Sequence, residues 1–166
     1  MTAIADGIRV IGIGNGDRGD DGIGPLIAER LRASAPSDVS VLIRRGDALA
    51  LIDDWRGADS AILVDAAAPM TAPGVIHRID LIADVVPSEL SLASTHAFGI
   101  SQAVGLAYTL GLLPRHLILY AVEGASFAPG AAVTPEVAGA AGPAARRILD
   151  EIESLRRIEV EVEADA

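Results

Sequence analysis

A short, mainly apolar run followed by a glycine-rich loop constrains this chain more than any other stretch. Ile8 to Ile13 predicts a buried strand, because the run is short and ends at glycines. The loop that follows carries three aspartates and opens a helix predicted from Asp21 to about Ala33, with Pro25 suited to its first turn. A strand, a glycine loop and a helix in this order favour an α/β domain.

The rest of the chain repeats the alternation of strands and helices. Asp47 is predicted to cap the second helix, and the fourth strand is the most polar, which is typical of a sheet edge. This order predicts a three-layer α/β/α sandwich around a five-stranded, mostly parallel twisted sheet. We expect one domain over residues 1–157 and a frayed acidic tail over 158–166. Predicted strands also cover 39–43, 58–64, 75–81 and 117–122, and later helices 98–112 and 134–157.

Composition narrows the classes of function. The chain has 166 residues and no cysteine, which excludes disulfides and cysteine nucleophiles and favours the cytoplasm. The formal net charge of −10 disfavours nucleic acid and anionic membranes as partners. Neither a secretory leader nor a membrane-spanning run is evident, and all 13 basic residues are arginines.

Candidate ligands follow the strands at the edge where α/β proteins place their sites. Asp20 and Asp21 follow the first strand, Asp65 follows the third, and His96 precedes a helix. One aspartate of the adjacent pair is enough to cap a helix, so the other is available as a metal ligand. Two carboxylates and one imidazole form an open set that suits nickel or zinc. Glu123 ends the fifth strand at this edge, where it orients a ligand, lines the cleft or has only a structural role.

A dinucleotide site is the main alternative at the glycine loop. Gly14-x-Gly16-x-x-Gly19 matches the fingerprint of such sites, and Arg44-Arg45 would suit a 2′-phosphate. The aspartates disfavour this interpretation, because they lie where a pyrophosphate would bind. Other catalytic patterns are missing: the sequence has neither G-x-S-x-G nor H-E-x-x-H. His77 and His116 are interpreted as structural or exposed.

Several segments resemble the hydrogenase maturation proteases, the endopeptidases that trim the C-terminus of the nickel–iron hydrogenase large subunit. The resemblance covers about residues 8–157, and one loop departs from it: Arg45-Gly46-Asp47-Ala48 stands where many relatives have Asp-Gly-Gly-Thr. That departure leaves the hydrogenase group of the substrate open. The segments are Gly12-Ile13-Gly14-Asn15, Gly19-Asp20-Asp21-Gly22-Ile23-Gly24, Val64-Asp65-Ala66, His96-x-x-Gly99 and Thr134-Pro135-Glu136-Val137.

The resemblance implies a fold, an activity and a ligand set. It implies a five-stranded sheet with one antiparallel strand, and an aspartic-type, nickel-dependent endopeptidase that processes the precursor of the hydrogenase large subunit. Asp21, Asp65 and His96 fall on the family's metal-binding and catalytic positions. The substrate presents the nickel, for which zinc or cadmium can substitute in crystals. We expect a monomer; a non-catalytic nickel-sensing chaperone for the same subunit is the alternative.

Overall fold

The computed structural model describes residues 7–84 and 96–166, apart from the side chains of residues 96–98. Its strands form one sheet in the order β2-β1-β3-β5-β4. The strands are β1 (Ile8–Ile13), β2 (Ser40–Arg44), β3 (Ser60–Ala67), β4 (Ile76–Asp80) and β5 (His116–Glu123).

The sheet is mostly parallel, as predicted. β1 pairs in parallel with β2 and β3, β3 pairs in parallel with β5, and β4 runs antiparallel to β5. The central strands are buried on both faces, which matches their nearly continuous apolar sequence. The more polar β4 lies at an edge, and the predicted bounds of β1 are confirmed.

Helices cover both faces of the sheet and complete the three layers. Helices α1 and α5 pack on one face, while α2 and α3 pack on the other. Asp47 caps α2 as predicted, since its side chain accepts a hydrogen bond from the N–H of Ala50 at 3.0 Å. The helices are α1 (Ile23–Ser34), α2 (Ala48–Trp55), α3 (His96–Leu110), α4 (Pro135–Ala138) and α5 (Ala141–Ala164), and a 3-10 turn (Gly19–Gly22) precedes α1.

Three predicted boundaries were wrong. β3 continues past Asp65 to Ala67, because its pairing with β5 extends to Glu123. Helix α3 begins at His96, so this histidine is the first residue of the helix. The segment 134–157 is divided into two helices, α4 and α5.

The tail over residues 158–166 is also helical where a frayed end was predicted. Helix α5 runs to Ala164, so the alternating apolar and acidic residues extend a helix. Adding a residue to an existing helix costs far less than starting one, which explains the continuation. Most of these side chains are nevertheless exposed, and the domain limit at residue 157 remains a prediction.

Within the described ranges, 7–84 and 96–166, no helix has the length and apolar character needed to cross a membrane.

Candidate metal and catalytic site

The 3-10 turn brings Asp21 to the carboxyl end of the central strands. Asp21 is 4% exposed, and its Oδ2 accepts a hydrogen bond from the N–H of Asn15 at 3.1 Å. A Cβ at Gly24 would lie 2.6 Å from the carbonyl oxygen of Val64, so only glycine permits this approach of α1 to β3. The glycine-rich loop therefore holds Asp21 close to the end of the strand that carries Asp65.

Asp65 lies inside β3, at the same end of the sheet. Its side chain is fully buried, and its Oδ1 accepts a hydrogen bond from the N–H of Ala66 at 2.8 Å. The turn that carries Asp21 packs against β3. Two of the three sequence-predicted site residues thus lie on neighbouring elements at one edge of the sheet.

For the third predicted residue, His96, the structure describes the position of the main chain. It begins α3, and a Cβ at Gly99 in the first turn of α3 would overlap the carbonyl oxygen of Gly46. The start of α3 therefore packs against the loop that follows β2, at the carboxyl end of the sheet. The side chain of His96 lies outside the described residues, so its role as a ligand stays a prediction.

Asp20 has a different role from its neighbour. It is fully buried and accepts hydrogen bonds from the N–H groups of Ala125, Ser126 and Thr134 at 2.7, 2.9 and 2.7 Å. The hydroxyl of Thr134 donates a further bond at 2.9 Å. Burial raises the pKa of Asp20, but these hydrogen bonds together lower it by more. The pKa therefore lies below its ordinary value. Asp20 therefore fastens the loop after β5 to the glycine loop.

Sequence reasoning missed this role. Thr134 is predicted to cap the following helix, and it does precede α4, but its side chain makes no capping bond and binds Asp20 instead. The two residues are 114 positions apart, and no local pattern signals the contact. The motif that begins at Thr134 gains a physical explanation, because it supplies two donors to a buried carboxylate.

Glu123 is another buried carboxylate at this edge. It is fully buried and accepts hydrogen bonds from the N–H groups of Thr71 and Ala72 at 2.5 and 3.2 Å. Burial raises its pKa, whereas these bonds and the nearby His77 lower it, and the pKa falls below its ordinary value. Glu123 thus binds the chain that connects β3 to β4.

The two aspartates do not by themselves make a metal site. Within the described part of the chain, no three His, Cys, Asp or Glu residues are grouped closely enough to hold an ion. Asp21 and Asp65 are hard oxygen donors, so a site for nickel or zinc would need a softer third ligand such as an imidazole. His96 is the predicted third donor.

The dinucleotide interpretation gains no support from the geometry. Arg44, which would suit a 2′-phosphate in that interpretation, forms an ion pair with Asp54 at 2.8 Å. Buried aspartates fill the turn before α1, where a dinucleotide site would place a phosphate.

Comparison with known proteins decides the family. The family model for hydrogenase maturation protease (HycI) matches residues 26–151, which is most of the chain. This chain belongs to the hydrogenase maturation protease family. The matched region contains Asp65 and His96 and begins after Asp21.

The curated relatives that match the chain are named as hydrogenase expression/formation proteins. The chain is 33% identical over 120 residues to the hydrogenase expression/formation protein HupD of Thiocapsa roseopersicina, covering 70% of this chain and 53% of that protein. It is 32% identical over 117 residues to HupD of Bradyrhizobium diazoefficiens, covering 68% and 59%. The matched segments thus span little more than half the length of these curated relatives.

A solved structure of the family has the same fold. The hydrogenase maturating endopeptidase HybD from E. coli matches with a TM-score of 0.72 and 25% identity, over 89% of this chain and 93% of that chain. The five-stranded, mostly parallel architecture is therefore that of a maturation protease.

Proposed function

We propose that this chain is an endopeptidase that removes the C-terminal extension of the nickel-loaded large-subunit precursor of a nickel–iron hydrogenase. Membership of the maturation protease family supports the class of reaction. The observation that carries the proposal is the placement of Asp21 and Asp65, two buried carboxylates on adjoining elements at one edge of the sheet. We further propose that the protein acts as a monomer in the cytoplasm.

In this proposal Asp21, Asp65 and His96 meet nickel that the substrate already carries. A neutral imidazole and two carboxylates form a ligand set of intermediate hardness, which suits nickel. His96 must lose its proton to donate a ring nitrogen, so recognition of the metal weakens in acid. Because the ion arrives with the precursor, the protease distinguishes loaded precursor from empty precursor before it cuts.

Peptide hydrolysis then adds a water molecule across one amide bond. The water oxygen bonds to the carbonyl carbon, the carbon–nitrogen bond breaks, and the leaving nitrogen takes a proton. Either aspartate can accept a proton from the attacking water as a general base, which is aspartic-type chemistry. The nickel ion supplies Lewis-acid polarisation of the scissile carbonyl as the other route. Neither route requires a covalent enzyme intermediate.

The test is processing of a nickel-loaded precursor subunit, followed by intact-mass measurement of the product. The wild-type chain should release a short C-terminal peptide, whereas Asp65→Asn and His96→Ala should abolish cleavage. Asp80→Asn is the matched control. Asp80 ends β4 at the end of the sheet opposite to Asp65, where it accepts a hydrogen bond from the N–H of Ile82. Stable complex formation without any change in mass would instead favour the nickel-sensing chaperone and would contradict the proposal.

A further inference from the structure

Glu123 is a fully buried carboxylate that the proposed reaction does not use. Its strand neighbour across the β3–β5 pair is Ala67, and the neighbour of Asp65 is Ala121. Glu123 and Asp65 therefore project from the same face of the sheet, the one covered by α2 and α3. Strand spacing of ~4.8 Å and a rise of ~3.3 Å per residue place their Cα atoms about 8 Å apart.

One residue holds most of the chain that follows β3. The carboxylate of Glu123 accepts the N–H groups of Thr71 and Ala72. Its main-chain N–H donates to the carbonyl of Val75 at 2.9 Å, and its main-chain oxygen accepts from the N–H of Gly74 at 2.8 Å. Four of the five residues from 71 to 75 are thus fixed by Glu123, while the side chains of Thr71 and Ala72 remain exposed.

An imidazole completes this arrangement. His77 pairs with Ala121 across the β4–β5 ladder, so Asp65, Ala121 and His77 form one transverse row on the face covered by α3. The Nε2 of His77 lies 3.7 Å from the Oε2 of Glu123, and the side chain is 25% exposed. The row of Asp65, Ala121 and His77, together with the contact between His77 and Glu123, therefore links the strand of Asp65 to the segment 71–75 that Glu123 holds.

We infer that Glu123 is a positioning residue for peptide hydrolysis: it fixes residues 71–75 as the border of the site on the side of β4, against which the C-terminal segment of the substrate binds. This inference rests on the proposed function. A border held by partly buried, charge-assisted hydrogen bonds is already ordered before the peptide arrives, so binding does not have to supply that ordering. Without the carboxylate, the N–H groups of Thr71 and Ala72 lose their acceptor, and each binding event must order that part of the segment again.

The expected signature is a change in KM with little change in kcat. Glu123→Gln keeps the shape of the side chain but removes the charge, and it should raise KM for the loaded precursor about tenfold while kcat changes less than about threefold. Hydrogen exchange at the amides of Thr71 and Ala72 should speed up, while exchange at the Asp20-bound amide of Ser126 stays unchanged. The exchange readout does not depend on activity.

Glu151→Gln is the matched control. Glu151 also joins strands to their surroundings, accepting bonds from Arg78 and from the hydroxyl of Tyr120 at 2.7 Å, but it lies on the opposite face of the sheet. The Glu151→Gln variant should be less stable than the wild type but should have an unchanged KM. Thr71→Pro removes one donor from Glu123 within an exposed segment, so it tests the same contact should Glu123→Gln fail to fold, and it should raise KM in the same direction.

The results separate this inference from the proposed function. A wild-type chain that leaves every nickel-loaded precursor uncut overturns the function, and this inference with it. A wild-type chain that cuts overturns the positioning role alone if KM is unchanged in Glu123→Gln despite faster exchange at residues 71 and 72, or in Thr71→Pro despite faster exchange at residue 72. If KM rises as much in Glu151→Gln as in Glu123→Gln, Glu123 is only a general structural contact. That result would also contradict the inference.

Discussion

Asp20 and Asp21 are adjacent in the chain and both buried, yet they bind different parts of the molecule. Asp20 faces the loop after β5 and accepts bonds from Ala125, Ser126 and Thr134. Asp21 lies on the turn that packs against β3 and accepts the N–H of Asn15. Residue type and burial do not separate the two; the elements packed around each carboxylate do.

The largest expected difference between the neighbours is in catalysis. Asp21→Asn should lower kcat/KM for precursor cleavage by more than about a hundredfold, because it removes a proposed ligand and a proposed base. Asp20→Asn should leave the rate per folded molecule within about threefold of wild type. The measurement is product mass against time, with the folded fraction taken from circular dichroism. Equal losses of kcat/KM in the two variants would contradict separate roles for Asp20 and Asp21.

Stability should differ in the reverse order. Asp20→Asn replaces a charged acceptor that binds four donors by an amide that offers less to them, and it should lower the free energy of unfolding by about 2–3 kcal/mol. Asp21→Asn should cost less, because Asp20 joins two loops that are distant in sequence, whereas Asp21 is proposed to serve the substrate's metal. Urea unfolding of both variants measures this difference. A larger loss for Asp21→Asn would show that the roles have been assigned to the wrong residues.

Acid should weaken the fastening contacts. The pKa values of Asp20 and Glu123 lie below their ordinary values of 3.8 and 4.5, so their contribution is complete above those values and is lost as pH falls through the folded-state pKa values. The free energy of unfolding should therefore decline as the pH falls below these ordinary values of 4.5 and 3.8. Asp20→Asn should flatten this decline when both proteins are followed by urea titration. An identical slope would mean that Asp20 does not contribute to acid sensitivity.

The smallest effect concerns one hydroxyl. Thr134→Val removes the side-chain donor to Asp20 but keeps the main-chain donor, and it should cost about 1 kcal/mol of stability. Thr109→Val is a suitable control, because Thr109 is exposed and its hydroxyl donates to the carbonyl of Gly105 in its own helix. Thermal unfolding of the two variants gives the comparison. A loss at residue 134 no greater than that at residue 109 would argue against a special contact.

The sequence predicts what depends on local patterns. The bounds of β1, the cap at Asp47 and the edge position of β4 follow from glycine placement, side-chain chemistry and polarity, and the structure confirms them. The end of β3 was wrong because its last residues are strand only through pairing with β5. The frayed tail was wrong because the helix that was predicted to end at about residue 157 continues to Ala164.

In the candidate site, too, only the features that follow from local patterns were predictable. The position of the site at the carboxyl end of the strands was predictable, since strand order and the placement of Asp21 and Asp65 follow from an α/β pattern. The fastening by Asp20 and Glu123 was not, because their partners lie 105 and 52 positions away along the chain. The choice of Asp21 as the ligand came from the resemblance, and the contacts of Asp20 explain why one aspartate of the pair is committed elsewhere.

The bond between Asp20 and Thr134 also bears on synthesis at the ribosome. The glycine loop is made early, but its buried carboxylate stays unsatisfied until residue 134 has left the exit tunnel and β5 has entered the sheet. In a growing chain the glycine loop therefore cannot reach its final packing before the loop after β5 has been made. The turn that carries Asp21 is secured only when two distant parts of the chain meet.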